Sequence, residues 1–588
     1  MIKRATGFAR RSVPAFVLLM ILAAASVRAQ NTTASVNEFF RYGVGQEGQS
    51  GGLVSKHYLE EAANGQVFIG DLILGFRYQY DDPTELYHQT FQGIKKRYIE
   101  YRKDGLSVRA GNLNAMIGRG LSLNLFENRG IYYDTELDGL RLAYRTSFHD
   151  ISIDAQAMAG TVNFMDFAGV SNSQSVVVGL DTGRLEAYRL QAGEIGFTPH
   201  ITELKDVFKQ IRLGVSWVHA TGVFPPSSPF PPPGFDTPVN DSMDVTIPGL
   251  TLDVKGKDLQ WYVEYAGKRT DAVMRSNNNT GGVTWSGGLY SALTFNRPGF
   301  GSSLEYKNYH FDIVGLADQN NERFRTTKAL PFMNAPTVFK EHSFTLATRV
   351  QHSINFNDEV GFQFDGYYAA MENLLINFNM SASSMHNGYM LSPTTGADST
   401  IVRSSAWLPA FDEAYAAFWE VFAEAEYTFE DESFIKIAFN RNQVPTPNFG
   451  RSTSFPMIKG QFALSTDWSV NFDFENQWLF DPHKLADTTG SARILSTDPS
   501  RVFSQIVALG FARSPYGGLT AVYEWTTDKT DVSGRRNWFL LEGNVRVGAS
   551  NTLIISYGAE RGGIRCSNGI CRQLNSFEGW RMTLASRF

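Results

Sequence analysis

This sequence has few cysteines, no long apolar run and only a small net charge. Two of its 588 residues are cysteine, 19% are charged, and the net charge is -6. No run reaches the roughly 18 consecutive apolar residues that a transmembrane helix needs. The chain is therefore neither a disulfide-dense scaffold nor a helical membrane protein, and it is not basic enough to bind nucleic acid. Its 43% of hydrophobic residues also argue against intrinsic disorder.

The motifs of common enzyme classes are missing as well. The sequence has no Gly-x-Ser-x-Gly nucleophile elbow and no phosphate-binding loop, and its ten histidines are scattered singly. We therefore expect neither an enzyme nor a bound cofactor or metal. A hydrolase is therefore the least supported of the functions that the sequence leaves open.

The first residues have the pattern of an export signal. Lys3, Arg4, Arg10 and Arg11 precede the apolar run "AFVLLMILAAASV", and small residues follow up to Ala29. This pattern predicts a secretory signal peptide over residues 1–29.

The mature chain is rich in two residue types, with 13% aromatic residues and 53 glycines. Aromatic girdles and glycine-containing turns are typical of large membrane β-barrels, although large β-sandwiches and propellers share them.

The alternation of apolar and polar side chains along the strands decides between these classes. In "DWSVNFDFENQWLF", residues 467–480, apolar side chains such as Trp468, Phe472 and Phe474 share one face, and Asp473 and Glu475 lie on the other. The same period recurs in many segments, so we expect apolar side chains to face lipid.

The connections between these segments alternate between short turns and long polar or proline-rich stretches. This asymmetry is typical of outer-membrane barrels, which have short periplasmic turns and long outer loops. We predict an all-β, antiparallel up-and-down transmembrane barrel of about 22 strands (20 to 24), spanning residues 67–588, with both termini in the periplasm. Residues 30–66 are expected to be a periplasmic or inward-folded segment, with an extra strand pair as the alternative. Residues 341–354 are predicted as one strand, and residues 360–384 as one overlong strand or two.

The C-terminus resembles that of a known class of membrane proteins. The last strand contains Trp580 and ends on Phe588, and this aromatic ending resembles the sorting signal that the barrel assembly machinery reads in bacterial outer-membrane barrels. The stretches "RAGNLNAMIGRGLSLNLFENRGIYYDTELDGLRLAYR" and "ERGGIRCSNGICRQLNSFEGWRMTLASRF" also resemble an uncharacterised family of such barrels, known only as a domain of unknown function. The resemblance implies a barrel in contact with outer-membrane lipid, and it supplies no site residues.

The predicted lumen carries an uneven distribution of charge. We expect the long connections 163–186, 222–244, 314–340 and 385–416 to be the candidates for narrowing it, because too few residues precede the first strand to form a separate plug domain. Two interpretations of the lumen charges remain open: opposite walls of opposite sign that orient a polar solute, or charges paired with their strand neighbours. The lumen candidates are Arg109, Arg141 and Arg145 in the first half, Glu420, Glu424, Glu426, Asp473, Glu475 and Glu542 in the second half, and additionally Arg546 and Arg581.

The sequence favours a passive pore or transporter for small polar solutes. The alternative is a non-conducting barrel that serves as a surface-attachment or secretion-complex component through its long outer loops. Cys566 and Cys571 flank an Asn-Gly pair in an exported chain, which predicts a disulfide that closes a tight turn.

Overall fold

A computed structural model describes most of the chain. The described residues are 32–49, 52–86, 89–166, 184–199, 208–224, 241–273, 283–311, 329–352, 354–391, 398–401, 403, 406–445, 450–481, 500–528, 534–567 and 570–588. The predicted signal peptide, residues 1–29, lies outside them. No helix in this part of the chain is long and apolar enough to cross a membrane.

One antiparallel sheet of 24 strands, counted over the described residues, forms the body of the protein, and each strand pairs with its neighbours in sequence. The strands are β1 (Thr32–Gln49), β2 (Gly52–Ile69), β3 (Leu72–Asp81), β4 (Phe91–Lys103), β5 (Leu106–Leu113), β6 (Leu137–Phe148), β7 (Ile151–Asp166), β8 (Arg184–Pro199), β9 (Phe208–Phe224), β10 (Asp241–Gly256), β11 (Leu259–Val273), β12 (Val283–Arg297), β13 (Phe300–His310), β14 (Asp358–Met371), β15 (Leu374–Ser384), β16 (Phe418–Thr428), β17 (Phe434–Val444), β18 (Gly450–Ala463), β19 (Trp468–Asp481), β20 (Ser500–Arg513), β21 (Gly517–Thr526), β22 (Asn537–Val547), β23 (Asn551–Glu560) and β24 (Phe577–Arg587).

The sheet closes on itself because β1 also pairs with β24. The register of this seam runs from Asn37 opposite Arg587 to Glu47 opposite Phe577. Phe588 then donates its backbone N–H to the carbonyl oxygen of Val36 at 2.8 Å and accepts the N–H of Val36 at 3.0 Å. The last residue of the chain is thus held by two backbone hydrogen bonds, and the closed ring has no free edge strand.

The alternation predicted from the sequence is confirmed by the exposed faces of the strands. On β6, Leu140 and Leu142 point out of the barrel and are about half exposed, whereas Arg141 between them points inward and bonds to Gln156. On β19, Trp478 is exposed outside and Glu475 is fully buried inside. The apolar side chains therefore cover the outer surface of the barrel.

The predicted strand number, 22, differs from the observed 24 for three reasons. The segment 30–66 contributes the extra strand pair that was its alternative prediction, β1 and β2, so the barrel begins before residue 67. Residues 360–384 form two strands, β14 and β15. Residues 341–354 form no strand, because their apolar side chains pack inside the barrel around a short helix, α1 (Thr345–Thr348), and make no ladder with a neighbour.

The longest connections lie at one end of the barrel, and most of the short turns lie at the other. Turns such as 70–71, 104–105, 257–258 and 548–550 lie at the end that carries Phe588, which we call the terminal end. Connections such as 114–136, 311–357, 385–417 and 561–576 lie at the other end, which we call the loop end.

Two loop-end connections fold into the barrel. The inner hairpin (residues 114–136) contains the ladder between Ala115–Ile117 and Leu123–Leu125, followed by a smaller ladder around the 3₁₀ turn Arg129–Ile131. The inner strap (residues 329–352 and 354–357) contains α1. Only the strap overlaps one of the four connections predicted to narrow the lumen. Residues 167–183 and 225–240, most of two others, lie outside the described residues.

The inner hairpin and the inner strap build an apolar core within the ring. It combines inner-hairpin and strap side chains with inward side chains of β7 to β13: Ile117, Leu121, Leu123, Leu330, Phe332, Val338, Met158, Leu190, Val218, Ile247 and Tyr290. The hairpin and the strap also bond to each other, because the N–H of Asn124 donates to the carbonyl oxygen of Phe332 at 2.7 Å. In this half of the barrel the inner face is therefore largely apolar.

The seam between β1 and β24 leaves no space for a side chain at Gly45. A Cβ atom built on Gly45 overlaps the carbonyl oxygen of Glu578 and lies 2.8 Å from the Cα of Gly579. We expect Gly45→Ala to destabilise the barrel by about 1–3 kcal/mol, the usual cost of overpacking, as measured by denaturant unfolding in detergent. Gly543→Ala is the matched control, since its Cβ would meet its nearest atom at 3.7 Å. Equal stability of the two variants would contradict this view of the seam.

Candidate functional site

A glutamate on the barrel wall binds the tip of the inner hairpin. Glu264 on β11 points inward and accepts the backbone N–H groups of Arg119 at 2.6 Å and Leu121 at 3.2 Å. The tip can approach this closely because Gly118 has φ +57° and no side chain, and a Cβ there would lie 2.5 Å from the carboxylate. The Arg119 side chain lies over the ring of Tyr262, 4.2 Å from its centroid. The carboxylate and the arginine therefore fix the hairpin tip from both sides.

A second wall glutamate binds the inner strap in the same way. Glu475 on β19 accepts the backbone N–H groups of Thr345 at 2.9 Å and Leu346 at 2.7 Å, the first two residues of α1. Gln477, two residues along the same strand, donates to the carbonyl oxygen of Leu346 at 2.7 Å. Lys459 lies 3.5 Å from Glu475 and donates to the carbonyl oxygen of Ser343 at 2.8 Å. We call the contacts made by Glu264 and Glu475 the two clasps.

Further wall carboxylates bind the strap on either side of α1. The ring of His342 lies 2.8 Å from Glu420, which also accepts from Asn440 at 3.0 Å. Arg349 pairs with Glu524 on β21. Glu359 on β14 pairs with His352 and accepts the N–H of Asn355 at 3.1 Å. These groups are buried, so their hydrogen bonds are shielded from water and strengthen the attachment.

The second half of the inner hairpin extends toward β2 and β3. Tyr132 donates its hydroxyl to Glu60 on β2. Burial raises the pKa of Tyr132 far above its ordinary value, with Glu60 adding to the effect, so the phenol stays protonated and remains a donor. The neighbouring Arg77 binds Glu127 of the hairpin at 2.6 Å. The inner hairpin therefore crosses the lumen from β11 to β2.

The structure brings the acidic candidates of the second half into local pairs on the inner face. Asp473 lies 3.1 Å from Lys459. Lys436 lies 2.8 Å from Glu426 and 3.6 Å from Glu424. Glu475 and Glu420 hold the strap, as described above. Glu542 and Arg546 share the inward face of β22, and Arg581 on β24 pairs with Glu560.

The arginine candidates of the first half also face inward. Arg109 lies over the ring of Tyr98, 3.6 Å from its centroid, and 3.4 Å from Glu100. Arg141 is directly opposite Arg109 in the β5–β6 register and donates to Gln156 at 3.0 Å. Arg145 is more exposed than either and lines a cavity. Most of the candidates thus have partners near them in the wall, and direct pairing of opposite signs across the lumen is not observed among the described residues.

Two cavities lie beneath the inner segments. One has a volume of about 730 Å³ and is lined at the terminal end by residues such as Arg145, Asp154, Lys209 and Arg212. The other, of about 690 Å³, is lined by Glu305, Lys340 and Asp365, among others. Met116 of the inner hairpin contributes to both, so this residue separates them. Within the described residues no three His, Cys, Asp or Glu side chains are placed to hold a metal ion.

The sequence alone did not reveal the inner hairpin or the role of Glu264. The segment "NAMIGRGLSLNLF" carries the available signal, because an alternating apolar pattern interrupted by two closely spaced glycines is too short to form two membrane-crossing strands. A single carboxylate such as Glu264 gives no comparable signal.

A third loop-end connection reaches the inner segments. The hairpin of Gly563–Ser567 and Ile570–Leu574 places Cys566 directly opposite Cys571, at the backbone separation that a disulfide requires. This hairpin lies against α1 and against the 3₁₀ turn of the inner hairpin. The predicted disulfide would therefore stiffen a segment that meets both clasped elements.

Comparison with known proteins identifies a family. Solved structures with a similar fold include the iron transporter FrpB from Neisseria meningitidis (8% identity, TM-score 0.44, covering 95% of this chain and 81% of FrpB). Another is the ferric enterobactin receptor PfeA from Pseudomonas aeruginosa (10% identity, TM-score 0.42, covering 94% and 81%). No curated protein matches the sequence. Residues 64–588 match the family of unknown function DUF6029, so the chain belongs to that family.

The cysteine pair gives a direct test of the third hairpin. If Cys566 and Cys571 are bonded, reduction is expected to loosen the hairpin and to speed tryptic cleavage after Arg565 and Arg572 several-fold, as followed by mass spectrometry of the intact protein. The Cys566→Ser/Cys571→Ser variant should be cleaved at one rate with or without reductant. Alkylation of both cysteines in the unreduced, folded protein would show that the bond is absent.

Proposed function

We propose that this member of the DUF6029 family spans the outer membrane of a Gram-negative-type bacterium and transports small polar solutes through a lumen that its own inner segments close. The exposed apolar side chains of the outer wall support the membrane location, because a surface this apolar is unstable in water. The predicted export signal supports the outer membrane. Most short turns, the start of β1 and the end of β24 lie at the terminal end, which we assign to the periplasm.

The clasps support transport through a lumen that opens. A ring of 24 strands encloses a lumen wide enough for a water-filled channel. The inner hairpin and strap fill it but do not pair with the wall as strands: apolar packing holds them, together with hydrogen bonds that their backbone N–H groups donate to wall glutamates. Water or a solute can replace such bonds at modest net cost, whereas a paired sheet strand cannot leave without breaking the barrel. This mode of attachment is the observation on which the proposal rests.

Removal of both clasps tests the proposal. Glu264→Ala and Glu475→Ala each leave two N–H groups unpaired, one of them in a buried hydrogen bond, which costs the closed state about 1–3 kcal/mol per clasp. We expect the double variant to open in planar bilayers on the order of ten times more often than the unaltered protein, or more.

The control removes one lumen-wall carboxylate and spares both clasps. Glu426→Ala removes a lumen-wall carboxylate that pairs with Lys436 on the neighbouring strand, and it is expected to conduct like the unaltered protein. Equal activity of the double variant and the control would contradict gating by the clasps.

The closed lumen also favours the second candidate function. A barrel that never conducts would use its long loop-end connections for surface attachment or as part of a secretion complex. The same bilayer measurement separates the two functions. If neither the double variant nor the unaltered protein shows channel openings, the non-conducting role is supported.

Arg141 and Arg145 provide a test of solute selectivity. Arg145 lines the larger cavity, and Arg141 lies one side chain away through Gln156, which contacts Glu194 of the same cavity. In the clasp-free background, Arg141→Ala/Arg145→Ala is expected to lower the anion-to-cation permeability ratio on the order of twofold. Reversal potentials in a salt gradient measure this ratio. An unchanged ratio would remove these arginines from the solute path.

A further inference from the structure

The outward face of three wall strands is covered near the loop end. On β13, Lys307 and Tyr309 face inward and bond to the strap, so their neighbours Asn308 and His310 face outward. Asp358 on β14 is opposite His310 and faces the same way, as does Ser384 on β15. Most outward residues of the wall are at least partly exposed, but Asp358 and Ser384 are almost completely buried. A segment of the chain therefore lies over the outside of the wall here.

That segment belongs to the connection between β15 and β16. We call its described residues 385–391, 398–401, 403 and 406–411 the outer flap. The two ring nitrogens of His386 bond to Asp358 at 2.6 Å and to Asn308 at 2.9 Å. Asn308 also donates to the carbonyl oxygen of Ala406 at 3.0 Å. The prediction that connection 385–416 narrows the lumen is thus wrong for these residues, because they bond to the outside of the barrel.

Further bonds hold the flap together and to the wall. Tyr306, another outward residue of β13, donates its hydroxyl to the carbonyl oxygen of Trp407 at 2.8 Å. Arg403 donates to the carbonyl oxygens of His386 at 2.8 Å and Leu408 at 3.0 Å. The N–H of Ala410 donates to the Ser384 hydroxyl at 2.9 Å. Side-chain and backbone hydrogen bonds therefore fix the flap against β13 and β15, both at His386 and at residues 406–410.

The far surface of the flap is apolar. Trp407, Leu408 and Phe411 are 64%, 68% and 63% exposed, among the highest values for large apolar side chains in the described chain. They extend the apolar band of the wall, to which Leu304 and Met380 contribute on the strands beneath. Trp407 has the amphipathic ring that is stable at a membrane–water interface.

The position of the flap along the barrel axis agrees with such an interface. Strands rise about 3.3 Å per residue and tilt by about 40°, so Asn308 lies about 20 Å along the axis from Phe300 at the terminal end. The apolar band of a membrane barrel is about 25 Å tall. Asn308, His310 and Asp358 would thus meet acyl chains or head groups if they were bare, and covering them avoids the cost of an unpaired charge there.

We infer that the outer flap is a lipid-binding surface that inserts Trp407, Leu408 and Phe411 into the outer leaflet at the boundary between head groups and acyl chains. The inference rests on the proposed membrane location. It assigns lipid, and not a protein, as the partner of this patch, because the patch continues the lipid-facing band of the wall.

A spin label on the flap tests the inference in full-length protein reconstituted into phospholipid vesicles. Leu408→Cys is labelled in the Cys566→Ser/Cys571→Ser background, and collision with oxygen, which concentrates in lipid, is compared with collision with a water-soluble nickel complex. Two labelled controls are Leu304→Cys on the wall and Glu430→Cys in a terminal-end turn. We expect the Leu408 label to resemble the Leu304 label, with oxygen collisions several-fold above those of the Glu430 label relative to nickel.

The controls separate the possible failures. If the Leu304 label is in lipid and the Leu408 label is as nickel-accessible as the Glu430 label, the flap lies in water and the inference is wrong. If the Leu304 label is itself aqueous, the membrane location fails first. Spin–spin broadening at Leu408 would assign the patch to a second copy of the chain and overturn the lipid assignment.

A second variant tests how the flap is seated. Adding His386→Ala and Arg403→Ala to the labelled protein removes the bonds of His386 to Asp358 and Asn308 and the bonds of Arg403 within the flap, and it leaves the three apolar side chains in place. The Leu408 label is then expected to gain mobility and nickel access, while the Leu304 label stays unchanged. A Leu408 label that does not respond would show that His386 and Arg403 do not hold the flap in place.

Discussion

The closure of β1 onto β24 is the constraint on which the rest of the molecule depends. Closure satisfies the backbone hydrogen bonds of both edge strands, and two bonds between Val36 and Phe588 complete it. In a low-dielectric surrounding, an open edge would leave a row of buried N–H and C=O groups without partners, which is why only helices and closed barrels span membranes. The number of strands in the ring then sets the width of the lumen.

A ring of 24 strands is too wide to be filled by the side chains of its own wall. The inner hairpin and strap occupy this space, and each brings backbone N–H groups that must find acceptors away from bulk water. Wall carboxylates supply them, because one carboxylate has enough lone pairs to accept from two neighbouring N–H groups. The width of the ring therefore explains the presence of Glu264 and Glu475 inside the barrel as well as solute binding would.

The sequence predicted the strands of the wall far better than the segments that pack inside the barrel. Alternation along residues 467–480 identifies β19 almost to the residue, because one face meets a different medium from the other. The turn at Glu372–Asn373 contains neither glycine nor proline, so the sequence left residues 360–384 open as one overlong strand or two and did not locate the break between β14 and β15. Residues 341–354 alternate as a strand does, but Phe344 is buried against Phe422, Ala438 and Met457 on the wall. Local pattern cannot distinguish a strand in the ring from a segment packed inside it, because both place their apolar side chains on one face.

Adjacent residues at the loop end of β14 show how one strand serves both faces of the ring. Glu359 faces inward and binds His352 and Asn355 of the strap. Asp358, next to it, faces outward and binds His386 of the flap. Successive side chains of a strand point to opposite faces, so two carboxylates in a row hold one segment inside the barrel and another outside it. Any displacement of this strand end moves both attachments, and the inner and outer segments are mechanically joined through a single peptide unit.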